Sequence, residues 1–412
     1  MTYTDLTTPL RTIMTPGPVE ADPRVLRALS TPVIGQFDPE FLNLMDETVD
    51  LLRYLFRTDN RRAFPINGTS RSGIEAVLCS IIEPGDKVLV PIYGRFGYLI
   101  AEIASRCDAE VHTMEKEWGK VFDPEEVKAE MKAINPKVVA IVHGETSTGQ
   151  MQPLKEIGAF CRENDSLFVV DGVATIGGVE FKTDEWSIDA AITGTQKCLA
   201  VPSGMAPITY NDRIEKILLE RKKIERGLSP DSENSRRIQS NYLDLSQIQD
   251  YWTSGNRLNH HTLATSMLYG LREGLRIIQE EGLEARIKRH QLHGKALVAG
   301  LEAMGVELRG NGEHKMPVVT LINAPEGVDE ASVRSTLLNE FGIEIAGSFG
   351  PFKGKVMRIG NMGNSCRKTN ILHTLGAFEA VMIQHGVTVN RGEAVQAALG
   401  VYAAEEITAV KS

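Results

Sequence analysis

Two side chains near the middle of the sequence could do chemistry together. Asp171 closes the apolar run Leu167–Val170, and Lys197 follows 26 positions later (197 − 171), just past a second apolar run, Ala190–Thr193. A carboxylate at the end of an apolar strand is costly to desolvate unless a cation answers it. A lysine among Thr195, Gln196 and Cys198 is placed to be a poorly hydrated amine that can attack a carbonyl. Either residue alone is as well explained by a surface salt bridge. A third feature is the segment Asn67-Gly68-Thr69-Ser70-Arg71-Ser72-Gly73, which follows the apolar run Ala63–Ile66 and opens a helical pattern. Small and hydroxyl residues at a helix amino terminus suit a phosphate. Ile74 stands where a nucleotide P-loop needs Lys, and the glycine spacing is not that of a dinucleotide loop. By itself the segment is an ordinary helix cap.

The conjunction is stronger than its parts. A lysine for an aldehyde, an aspartate for a pyridinium nitrogen and hydroxyls for a phosphate describe a site for pyridoxal 5'-phosphate.

These residues need elements to position them. From about Pro39 to Ala200 short apolar runs alternate with helical periodicity. The spacing predicts strands at Ala63–Ile66, Lys87–Val90, Glu110–Thr113, Val138–Val142, Leu167–Val170 and Ala190–Thr193, with a seventh at Ala206–Tyr210. Between them it predicts helices at Glu40–Phe56, Ser72–Ile82, Phe96–Ser105, Pro124–Ala133 and Leu154–Glu163. That alternation means an α/β fold around a mostly parallel seven-stranded sheet covered on both faces. In such sheets ligands gather outside the carboxyl ends of the strands. There the sequence places Asn67–Gly73, Pro91–Gly97, His143–Gly149, Asp171 and Gly194–Lys197. Long amphipathic helices follow at Leu263–Gln279 and Leu283–Met304. Then come strand Val318–Ile322, helix Glu330–Glu340, strand Val356–Ile359 and helix Lys368–His385, a small α+β module. The expected division is a large domain over residues 21–280, with 1–20 and 281–412 forming an arm and a small domain.

Composition narrows the partners. The 412 residues carry 45 basic and 54 acidic side chains, a net charge of −9, with 42% apolar residues. This is a globular composition, and its acidity argues against nucleic acid. The basic run Glu220–Arg226 carries its own acids and reads as a solvated helix face. No stretch approaches the ~20 apolar residues that span a bilayer, and the amino terminus does not resemble a signal peptide. Five scattered cysteines without a CxxC pair, and the adjacent His260 and His261, suggest reduced thiols in a cytoplasmic protein with no metal site.

The segments HGETSTG (143–149), VDGVATIGG (170–178) and TGTQKCLAVPSG (193–204) resemble those of class V, fold-type I aminotransferases. TPGPVEADPRV (15–25), HHT (260–262) and VMRIG (356–360) agree, in order and over nearly the whole chain. The branch most similar is that of the alanine–, serine– and ureidoglycine–glyoxylate aminotransferases. The resemblance implies a homodimer with active sites at the interface, and pyridoxal phosphate held on Lys197 with Asp171 at its ring nitrogen. Lys197 would also serve as general base and acid. Phe96 would stack on the ring, with Val173 on the opposite face and Thr146 near the ring hydroxyl. Thr69, Ser70, Arg71, Gln196 and, from the other subunit, Thr262 would hold the phosphate. Arg358 would bind the substrate carboxylate beneath a loop containing Gly17. Two positions depart from the alanine and serine enzymes: Asn259 where a tyrosine is common, and Gln36 where histidine is common. Two amides suit a donor with amide groups of its own, so ureidoglycine is the expected donor and alanine or serine the alternative.

Overall fold

The computed structural model describes residues 4–411 except 226, 228–233, 256 and 311, and the side chains of 407–411 are not described. The chain divides into two compact units, each with its own core. One comprises Ala21–Arg289 with Gly310–Met316, and the other Met1–Glu20, His290–Arg309 and Pro317–Ser412.

The first unit is built on a seven-stranded sheet. Its spatial order is Arg62–Gly68, Gly204–Tyr210, Ala190–Ile192, Leu167–Asp171, Val138–Val142, Lys87–Ile92 and Glu110–Glu115. Only Gly204–Tyr210 runs against the rest. The central strands Val138–Val142 and Leu167–Asp171 are buried at every position, as a sheet covered on both faces requires. Helices Pro39–Phe56, Ser70–Ile81, Arg95–Arg106, Pro124–Ile134 and Lys155–Glu163 accompany it. Aspartates start two of them: Asp38 caps Pro39–Phe56, and Asp123 with Glu126 forms a capping box on Pro124–Ile134. One apolar cluster, from Phe41 and Met45 through the strands to Leu275 and Ile278, fills this unit.

The α/β sheet and its strand positions agree with the sequence reading, but the run Glu220–Arg226 does not. The helix Asp212–Arg221 ends inside it, and Arg221 is buried. Its guanidinium donates to the carbonyls of Cys79, Ser80, Ile82 and Arg236. Those of Cys79, Ser80 and Ile82 lie at the carboxyl end of Ser70–Ile81, where a helix runs out of its own donors. Arg226 lies outside the described residues.

The second unit carries an antiparallel sheet in the order Leu308–Arg309, Val319–Asn323, Val356–Gly360, Ala346–Gly347. Helices Glu330–Phe341, Lys368–Gln384 and Glu393–Lys411 accompany it, and Leu297, Leu301, Ile322, Met357 and Phe378 are in its core. Near the amino terminus Thr12–Ile13 pairs in parallel with Ile343–Glu344. Among the described residues no helix is long and apolar enough to cross a membrane. The five cysteines form no disulfide, and among the described residues no group of three His, Cys, Asp or Glu side chains could hold a metal ion.

Candidate active site

A cavity of about 770 Å³, counting space open to solvent, lies in the first unit. Its lining includes Thr69, Ser70, Arg71, Phe96, Thr146, Asp171, Val173, Gln196 and Lys197. Together they end or follow five strands of the sheet, so the strand order alone gathers residues far apart in sequence.

Asp171 ends Leu167–Asp171 and is 6% exposed. Burial pushes its carboxyl up to about 7; the Val173 N–H, which donates to Oδ1 at 2.9 Å, opposes this, Glu145 adds to it, and Lys197 also opposes it. A carboxyl so poised calls for a cationic or N–H partner from a ligand. Behind it His143 is buried, with Nδ1 2.9 Å from Thr175 Oγ1 and the rings of Phe181 and Trp186 at 5.4 and 5.6 Å. Burial pushes the imidazole down to about 3, so His143 stays neutral there.

The helix Ser70–Ile81 starts at Thr69, whose backbone is extended and whose side chain makes no capping bond. The first N–H groups of a helix have no intrahelical acceptors and attract an anion. Gln196 Nε2 donates to Ser70 Oγ at 3.2 Å, while Gln196 Oε1 is buried with no partner. A side chain at Gly194 would place its Cβ 2.1 Å from Ser70 Oγ, so glycine keeps this corner open. The uncapped helix start and the buried carboxyl fit a ligand with a phosphate at one end and a ring N–H at the other.

Sequence reasoning missed Glu145. It is fully buried, yet Oε2 accepts the Phe96 N–H at 2.8 Å, and Oε1 accepts the Ser147 N–H at 3.0 Å and its hydroxyl at 2.7 Å. The available signal was a carboxylate inside a Gly/Thr/Ser turn directly after an all-apolar strand.

Five expected residues lie elsewhere. Gln36 and Asn259 meet each other: Gln36 Nε2 donates to Asn259 Oδ1 over a long 3.4 Å, and Gln36 Oε1 is buried without a partner. Thr262 is exposed, its carbonyl 3.5 Å from Asn67 Nδ2. None of the three lines the cavity of its own chain. Arg358 and Gly17 belong to the second unit. Arg358 is 6% exposed, donates through Nε to the Gly347 carbonyl at 2.7 Å, and lies 4.8 Å over the Phe349 ring. Alongside it the Gly360 N–H donates to the Met14 carbonyl at 2.8 Å, which brings the Thr15–Pro18 turn to the same strand. Gly17 adopts φ 104° there, a conformation other residues resist.

The family model of class V aminotransferases matches residues 29–368. The chain is a class V aminotransferase. Pyridoxal 5'-phosphate is the cofactor of these aminotransferases. Over 403 residues it is 62% identical to the (S)-ureidoglycine–glyoxylate transaminase of Bacillus subtilis, covering 97% of both chains. An alanine–glyoxylate aminotransferase of Drosophila melanogaster is 38% identical, over 87% of this chain and 88% of its own. The crystal structure of the ureidoglycine–glyoxylate aminotransferase from B. subtilis superposes with a TM-score of 0.92 at 60% identity, covering 97% of this chain and all of that one. The alanine–glyoxylate aminotransferase of Nostoc superposes at 0.87 with 37% identity, covering 93% and 98%.

Proposed function

We propose that this aminotransferase moves the amino group of (S)-ureidoglycine to glyoxylate, giving oxalurate and glycine. The observation that carries the donor assignment is the contact of Gln36 with Asn259, which leaves a buried amide oxygen unanswered. A ureido tail offers N–H donors and one carbonyl, and paired amides can answer both kinds of group. The B. subtilis relative, 62% identical, is named for this reaction.

When bound, pyridoxal phosphate supplies an aldehyde that condenses with amines and a ring that accepts electrons from the donor's α-carbon. Lys197 holds the aldehyde through Nζ. With a donor bound, Lys197 would take the proton from the donor's α-carbon and deliver it to C4′ of the cofactor. Asp171 keeps a proton on the ring nitrogen; its buried carboxylate gains by that partner more than an exposed one would. Thr69, Ser70, Arg71 and Gln196 bind the phosphate, Phe96 and Val173 flank the ring, and Thr146 meets its hydroxyl. Arg358 grips the substrate carboxylate with a guanidinium already oriented by Gly347 and Phe349. Gly17 lets the backbone come close to that carboxylate.

The exposure of Thr262 and Asn259, neither of which lines its own chain's cavity, supports a homodimer in which both serve the partner's site. Cysteines without disulfides agree with a cytoplasmic setting.

A panel of amino donors with glyoxylate as acceptor tests the reading, using freshly generated ureidoglycine because such aminals decay. Ureidoglycine is expected to give the highest kcat/KM. A clear preference for alanine or serine overturns the donor assignment and leaves the aminotransferase standing.

A further inference from the structure

Glu145 is fully buried beside a cavity it does not line, and no step of the reaction uses it. The helix Arg95–Arg106, which carries Phe96 in its first turn, starts at Gly94 and so has no side chain to cap it. We propose that Glu145 is a positioning residue: its carboxylate is the acceptor this helix start lacks, and it thereby fixes the Phe96 ring as a wall of the cofactor cavity.

The acceptor arrives from 49 residues further along the chain, on the short strand Gly144–Glu145. One oxygen takes the Phe96 N–H. The other takes both donors of Ser147, and Ser147 Oγ in turn accepts the Arg95 N–H at 3.0 Å. Two consecutive N–H groups of the helix start are thus satisfied, one directly and one through the serine. Gly94 permits the approach, since a Cβ there would fall 2.2 Å from Glu145 Cγ. Three donors converge on this one side chain, and a carboxylate meets them with acceptors only. A glutamine would turn an NH2 toward at least one of them. A negative charge at a helix amino end is favoured as well, which offsets the burial.

The inference rests on the reading of Phe96 as the ring-stacking residue, so the test measures both residues. Glu145→Gln, Phe96→Ala and the double variant are stripped of cofactor and titrated with pyridoxal phosphate. Affinity is followed by protein fluorescence, and the visible circular dichroism of the bound cofactor reports ring geometry. Each single variant is expected to weaken binding by about tenfold and to shrink the dichroic band, because a misplaced or missing ring leaves the cofactor one face short. The double variant should bind no more weakly than the worse single one, since Glu145 acts through Phe96. Multiplied losses in the double variant overturn the proposal, because Glu145 then acts independently. Parent-like binding by Glu145→Gln alone overturns it while sparing Phe96. Parent-like binding by Phe96→Ala overturns both readings. Should Glu145→Gln fail to fold, Ser147→Ala removes only the hydroxyl link. It is expected to weaken binding by about threefold with a smaller dichroic band, and no change there overturns the proposal.

Discussion

Replacing Asp171 by Asn separates what this residue costs the fold from what it gives the chemistry. Without cofactor, burial holds its carboxyl at about 7 against an ordinary 3.8. The folded chain therefore binds this proton more tightly than the unfolded chain. Between those two values the folded chain keeps a proton that the unfolded chain has released, so stability falls as pH rises through the window. Below it both states are protonated and no penalty applies. Above about 7 the penalty is complete, about three units or on the order of 4 kcal/mol. At pH 5 only about a third of it has accrued. Asn keeps the shape, still offers an oxygen to the Val173 N–H, and carries no charge at any pH. The cofactor-free Asp171→Asn protein should thus be more stable than its parent, increasingly so toward pH 8. For a chain of 412 residues the gap in melting temperature should widen by about 3 °C between pH 5 and pH 8. Scanning calorimetry of stripped protein at matched ionic strength measures it. The holoenzyme variant should keep its cofactor and lose most of its turnover. A gap that stays constant with pH, or an Asp171→Asn protein less stable at pH 8, would refute the argument that burial sets this carboxyl's proton affinity.

Four further outcomes are expected. Borohydride should fix pyridoxal phosphate to Lys197, and peptide mass mapping that finds the label on another lysine removes Lys197 from its role. Asn259→Tyr should lower kcat/KM for ureidoglycine by at least about tenfold while activity with alanine or serine survives, and Gln36→Ala should move the same way. Equal losses for all donors would mean that these amides serve the cofactor or the fold. Sedimentation should find a dimer at working concentrations; an active monomer contradicts the placement of Thr262 and Asn259 in a partner's site. Arg221→Met should cost roughly 2–4 kcal/mol in urea unfolding, because it leaves several carbonyls at a helix end without donors.

The strands are legible in the sequence because a sheet buried on both faces demands consecutive apolar residues, and a run such as Val138–Val142 can be little else. Their polar ends are legible for the same reason, since a charge at the close of such a run is conspicuous; Asp171 and Lys197 stand out on chemistry alone. Phe96, Thr146 and Val173 do not, for nothing in a lone Phe, Thr or Val tells which wall it will form. They entered through resemblance. The two-residue strands Leu308–Arg309 and Ala346–Gly347 are too short to show a period. Arg221 and Glu145 were hidden for another reason: both are charged groups buried against backbone, and the donors and acceptors that make them tolerable come from elements dozens of residues away. The meeting of Gln36 and Asn259, 223 residues apart, is likewise a product of the fold.

The strand order of the large sheet also bears on how the protein is made. Arg62–Gly68 leaves the ribosome before any other strand of that sheet, yet its sole neighbour is Gly204–Tyr210, the last to appear. At 5–20 residues per second the wait spans roughly 7–27 s for the 136 residues from Gly68 to Gly204. Through that interval an apolar segment, Ala63–Ile66, has no strand to lie against, and the helix start at Thr69 has no fixed place. Nascent chains should therefore engage cellular holdases over this stretch and acquire vitamin B6 only after Gly204–Tyr210 has emerged. Cofactor loading is in this sense timed by the arrival of the one strand that runs the other way.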